Sequence, residues 1–117
     1  VPHIHLETTA DLPENADIPD ILEALVASLA TMETVAPASL KAYHTLRSTW
    51  VMGEGAPAGF AHCTLMVLSG RPLELRRRMA EEALAILKHF FAASLEANEV
   101  ALSLELREME AATYLRA

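Results

Sequence analysis

Between residues 2 and 9, apolar and polar side chains alternate. Ile4 and Leu6 fall on one side, and His3, His5 and Glu7 on the other. A period of two is that of a half-buried strand. The residues around Asp11, Pro13 and Asn15 are turn formers and read as a loop. Asp17 is a favoured helix N-cap type, and Pro19 then falls in the first turn, where its missing N–H costs nothing. Ile18, Ile21, Leu22, Leu25, Leu29 and Met32 follow at helical spacing. The pattern predicts an amphipathic helix that stops before Pro37.

From 41 to 52 the period returns to two. Ala42, Leu46, Trp50 and Met52 share one face, and Tyr43, Thr45, Arg47 and Thr49 the other. Residues 53–59, rich in Gly, Ala and Pro, read as a loop. Residues 60–68 are nearly all apolar, broken by His62 and Thr64, which predicts a central strand buried on both faces. Gly70 punctuates, and Pro72 opens a second helix with a buried stripe of Leu75, Met79, Ala83, Ile86, Leu87 and Phe90. Arg77–Glu81 and Arg78–Glu82 are spaced for helix-surface pairs worth ~0.2–0.5 kcal/mol each. Arg76, Arg77 and Arg78 read as a solvated helix face. Val100, Leu102, Leu104 and Leu106 alternate with Ser103, Glu105 and Arg107 in a fourth strand. Residues 111–117 have no period, and the expectation is that they cross onto a neighbouring subunit.

The order is strand–helix–strand, a Gly-rich break, then strand–helix–strand. This predicts one α+β domain: duplicated β-α-β units, about 2–53 and 59–110, in a four-stranded mixed sheet with two helices on one face. Each unit should be parallel and right-handed. The other face then needs cover, and other subunits are the natural source.

Composition narrows the function. The chain has 117 residues, 52% hydrophobic and 21% charged, with net charge -7. An acidic chain suits neither phosphate backbones nor anionic lipid. The strand order also fits a ferredoxin-like module. An RNA-binding version would need basic residues and sheet aromatics that this chain lacks. The single cysteine, Cys63, excludes an internal disulfide and fits a reducing compartment. With no apolar run of about 20 residues and no signal pattern, the expectation is a soluble, cytoplasmic protein.

Four segments share a further likeness: Pro2-His3-Ile4-His5-Leu6-Glu7, Thr49-Trp50, Phe60-Ala61-His62-Cys63-Thr64-Leu65 and Gly70-Arg71-Pro72-Leu73-Glu74. In order and spacing, along nearly the whole chain, they resemble the 5-carboxymethyl-2-hydroxymuconate isomerase family of the tautomerase superfamily. The family's tail after the fourth strand is longer. The resemblance implies a homotrimer with its sheets facing inward, no metal or organic cofactor, and a small carboxylated enol or dienol as substrate. It also implies that an amino-terminal proline shuttles the proton and that cationic residues hold the substrate.

Carried over residue by residue, the catalytic candidate is Pro2. A free secondary amine titrates near the α-amino range of ~7.7–8.0. Burial and neighbouring cations lower that value toward neutrality, where the amine can take and return a proton. Val1 stands before Pro2. While it is attached, the Pro2 nitrogen is an amide. One expectation is a valine-type start codon translated natively as methionine, whose removal exposes Pro2; the alternative is a genuine Val1, which counts against the proline mechanism and favours a non-catalytic domain. Arg71 matches the family arginine after the third strand, where a guanidinium can fork onto a carboxylate. Lys41 stands at a second family arginine position; it keeps the charge and loses the fork. Arg47 is a substitute cation that its strand face does not place.

His3, His5, His44 and His62 invite a metal site, but no carboxylate or cysteine completes a ligand spacing, so they read as wall or core residues. Cys63 reads as core. The rival to an enzyme is a non-catalytic, oligomeric small-molecule-binding domain of the same fold.

Overall fold

The alternation at the start of the chain becomes strand β1 (His3–Thr9) in a computed structural model that describes residues 1–117. Strands β2 (Lys41–Arg47), β3 (Gly59–Leu68) and β4 (Val100–Met109) complete one sheet in the order β2-β1-β3-β4. β1 and β2 are parallel, as are β3 and β4, and the central pair β1–β3 is antiparallel. Helix α1 (Ile18–Ala30) links the first parallel pair. Helices α2 (Leu73–Phe90) and α3 (Ala92–Glu96) link the second. This is the expected mixed sheet and α+β class.

The helices cover the face that carries Ile4 and Leu6 of β1 and Ala61, Cys63, Leu65 and Val67 of β3. Ile21, Leu25 and Leu29 of α1 and Met79, Ala83 and Leu87 of α2 are buried against them. Each large apolar side chain so buried contributes roughly 1.5–3 kcal/mol relative to exposure. No helix is long and apolar enough to cross a membrane.

Several local expectations are corrected. β2 stops at Arg47, not at residue 52. Arg47 pairs with Thr9, the last residue of β1, so the chain beyond it has no strand to pair with. Trp50 lies in the following loop, where its indole N–H donates to the Ala58 carbonyl at 2.9 Å. β3 is central but not buried on both faces. Phe60, His62, Thr64, Met66 and Leu68 are only half-buried, on the side away from the helices. Asp17 makes no capping bond, because it is the last residue of a 3-10 turn, Pro13–Asp17, that runs straight into α1. The surface pairs expected within α2 are replaced by longer-range ones. Arg78 reaches Glu33 at 3.7 Å, and Arg76 reaches Glu108 at 3.5 Å while its Nε donates to the Arg71 carbonyl. Arg76 is therefore not merely solvated.

The last residues are held in part within their own subunit. After a 3-10 turn, Ala111–Thr113, the chain folds back on itself, and the Tyr114 hydroxyl lies 2.8 Å from His3 Nε2. Because the central strand pair is antiparallel, β1 and β2 begin, and β3 and β4 end, at the same edge of the sheet.

Candidate active site

Pro2, Lys41 and Arg71 come from three separate stretches of sequence, and the strand directions gather them at that edge. Pro2 precedes β1 and is buried. Its carbonyl accepts from the Lys41 backbone N–H at 3.3 Å, which fixes the start of β2 beside it. Val1 is tied down by two further bonds. Its amine donates to the Ser39 carbonyl at 2.9 Å, and the Ser39 hydroxyl donates back to the Val1 carbonyl at 2.7 Å.

Lys41 sits opposite His3 in the parallel register and is exposed. Its side chain has no hydrogen-bond or ion-pair partner, so its ammonium is free. Arg71 follows the β3–α2 turn, where Gly70 takes a φ of +117° that side-chain-bearing residues rarely adopt. The guanidinium of Arg71 is not free. Nε donates to Thr34 Oγ1 at 2.9 Å, Nη2 to the Thr34 carbonyl at 3.0 Å, and Nη1 to the Leu68 carbonyl at 3.4 Å. Arg71 brings its charge to this edge while stapling the α1–β2 connection to the end of β3.

The electrostatics converge on the amino terminus. Burial first, and then the charges of Lys41, Arg116 and Arg71, hold the Val1 amine, one residue before Pro2, below the ordinary α-amino range. Both causes penalise the ammonium form, so more of the amine is neutral and basic near pH 7. His3 is likewise held below its usual range, by burial and then by Lys41 and the terminal amine. Arg116 is the cation that the sequence did not flag. Its segment shows no period, and only the fold-back through Tyr114 brings it here.

The other candidates lie elsewhere. Arg47 is at the far end of β2 and is spent on Glu7, with Nε at 2.9 Å and Nη2 at 2.5 Å from one carboxylate oxygen. That pairing holds the Glu7 carboxyl below its usual range. The four histidines are each bonded to a hydroxyl: His3 to Tyr114, His5 to Thr45, His44 to Thr8 and His62 to Ser103. No three His, Cys, Asp or Glu side chains gather in a ligating group. Cys63 is fully buried, and burial pushes its thiol up to about 12, which suits a core residue and not a nucleophile. A depression of about 550 Å³ opens between Glu33, Thr34, Pro72, Arg77, Arg78 and Glu81. It touches the Arg71 staple but contains neither Pro2 nor Lys41, and its charges are mixed.

The likeness to known proteins runs along the whole chain. Residues 2–117 match the family model for 5-carboxymethyl-2-hydroxymuconate isomerase. The chain is 30% identical over 110 residues to the 5-carboxymethyl-2-hydroxymuconate Delta-isomerase of Escherichia coli, covering 93% of this chain and 87% of that protein. A crystal structure of a 5-carboxymethyl-2-hydroxymuconate isomerase from Deinococcus radiodurans R1 superposes with a TM-score of 0.90 at 27% identity, covering 99% of this chain and 88% of that one. At 14% identity, native fused 4-OT superposes with a TM-score of 0.79, covering 98% of this chain and 92% of that one, which is a likeness of fold.

Proposed function

Since this chain belongs to the 5-carboxymethyl-2-hydroxymuconate isomerase family and is an isomerase of tautomerase-like fold, we propose that it ketonises a small carboxylated dienol with Pro2 as the acid/base. In the active form Pro2 carries the free amine. The neutral amine takes the proton of the dienol hydroxyl. The electron pair moves along the conjugated system, and the same proton is returned at the far carbon. Substrate and product have the same atoms, so the step needs no external oxidant or reductant. Lys41 and Arg71 supply positive charge for the substrate carboxylates and for the dienolate as charge develops on oxygen. The working unit in this reading is a homotrimer. The two halves, 2–53 and 59–110, are a duplicated strand–helix–strand unit.

The observation that carries this is the set of positive charges around a partly buried amino terminus in a chain of net charge -7. A cationic pocket both binds carboxylates and keeps more of the amine in the neutral form that can take a proton near pH 7. The test is kinetic. Protein whose intact mass shows Pro2 as its first residue should turn over 5-carboxymethyl-2-hydroxymuconate. Its kcat/KM should rise with pH through an acid limb set by the Pro2 amine. Pro2→Ala should lower kcat by roughly 10²-fold or more, the scale of general acid–base catalysis. Full activity in Pro2→Ala, or in protein that retains Val1, sinks the mechanism.

A further inference from the structure

Deepening that reading, and resting on it for the identity of the substrate, we propose that residues 114–116 form part of the site: Tyr114 fixes the segment against His3, and Arg116 takes a substrate carboxylate. Few guanidinium groups are available for that role. Arg71 is engaged by Thr34 and the Leu68 carbonyl through three nitrogens. Arg47 is paired with Glu7, Arg107 with Glu105 and Arg76 with Glu108. Lys41 offers a point charge without a fork. Arg116 is exposed and takes part in no hydrogen bond or ion pair of the fold, so at this edge it is the arginine with its fork free.

Its position is set by contacts and not by sequence neighbours. β4 ends at the site edge, with the Ser69 N–H donating to the Met109 carbonyl at 2.9 Å. The turn at Ala111–Thr113 then sends the chain back over β1. Tyr114 meets His3 edge-on, ring centroids 5.8 Å apart at 81°, in addition to the bond between hydroxyl and Nε2. His3 is adjacent to Pro2 and opposite Lys41. Arg116 is two residues further on, and its charge is felt at the terminal amine. A 5-carboxymethyl-2-hydroxymuconate skeleton carries three carboxylates. Lys41, Arg71 and Arg116 are three cations, and Arg116 alone among them is a guanidinium with every N–H unengaged. Tyr114 is then a positioning residue, because it acts through the placement of Arg116.

The experiment compares Arg116→Gln, Arg116→Lys and Tyr114→Phe with Lys88→Gln, a loss of charge in the last turn of α2, at the opposite end of that helix from Arg71. The substrates are the tricarboxylate 5-carboxymethyl-2-hydroxymuconate and the monocarboxylate enol of phenylpyruvate. Arg116→Gln should raise KM for the tricarboxylate roughly tenfold or more, the weight of one charge-assisted hydrogen bond. The rise for the monocarboxylate should be smaller, and kcat should change little. Arg116→Lys should recover part of the loss. Tyr114→Phe should shift the same KM several-fold with the melting temperature unchanged. Equal KM changes for both substrates, or values matching Lys88→Gln, overturn the proposal. If protein with a free Pro2 amine turns over neither compound, the functional reading falls and the tail is judged by tricarballylate titration. Arg116→Gln should then weaken binding about tenfold. No binding to the parent protein, or equal binding to both, overturns the role of the tail.

Discussion

Gly59 shows at the scale of one residue how closely the edge of the core is packed. A methyl group there would press on Thr9 Oγ1 and lie 2.6 Å from a carboxylate oxygen of Asp11. Asp11 is exposed and can swing away, but Thr9 is fully buried, and its hydroxyl oxygen accepts from the Phe60 N–H at 3.0 Å. Gly59→Ala should therefore destabilise the fold by about 1–3 kcal/mol, the usual scale of overpacking. A urea midpoint unchanged from the parent would refute this. In the sequence Gly59 is one residue of a Gly-rich loop, and nothing there identifies the neighbours that exclude a methyl. The same limit applies at the site. The family resemblance brings out Pro2, Arg71 and Lys41. It does not show that Arg71 is engaged by Thr34, because that bond joins residues 37 apart in the chain.

At the scale of elements, β1, β2 and the turn before α1 are joined by one hydroxyl. Thr8 Oγ1 donates to Asn15 Oδ1 at 2.5 Å and lies 2.6 Å from His44 Nε2. A threonine hydroxyl has one proton, so Nε2 of His44 must be the donor in the second bond. Burial, and then the charge of His5, hold His44 below the usual histidine range. With the folded pKa lowered, the unfolded chain takes up the proton first. The stability contribution is complete above the ordinary value of about 6.5 and is lost as pH falls below it. His3 acts in the same direction. Glu7, whose carboxyl is depressed, adds a separate loss only at more acid pH. The melting temperature should fall between pH 7.5 and pH 5.5, and His44→Gln should flatten that slope. An unchanged slope in the variant would exclude His44 as a source. Alternation makes β1 and β4 readable in advance. It overextends β2 because strand length depends on a partner, and β1 ends where β2 does.

The whole molecule leaves one face of its sheet without helices. The register sets Lys41, His3, Met66 and Arg107 in one row across that face. Tyr43, His5, Thr64 and Glu105 form the next, followed by Thr45, Glu7, His62 and Ser103. A β3 buried on both sides would make this face too apolar for water. It is instead largely polar, and its hydroxyls and charges are partly paired within the chain. The homotrimer in the functional reading would place such faces toward one another. Sedimentation equilibrium should then give three times the mass of one chain, and Arg107→Glu, which puts like charge beside Glu105 on that face, should weaken the assembly. A monomer at micromolar concentration would contradict the trimer.

Periodicity by itself determined the four strands, the two long helices and their order, because hydrophobic spacing is a local property that each element must satisfy to bury a face; the antiparallel pairing of β1 with β3 that makes the sheet mixed is a tertiary fact. The order of a few segments determined the family. Only the tertiary structure decided which charges meet at the amino terminus. Lys41, Arg71 and Arg116 are far apart in the chain, and they converge because both parallel strand pairs open onto one edge. Only the fold also decided which of those cations is free, since the bonds that engage Arg71 and the turn that returns Arg116 lie between residues that no local pattern connects.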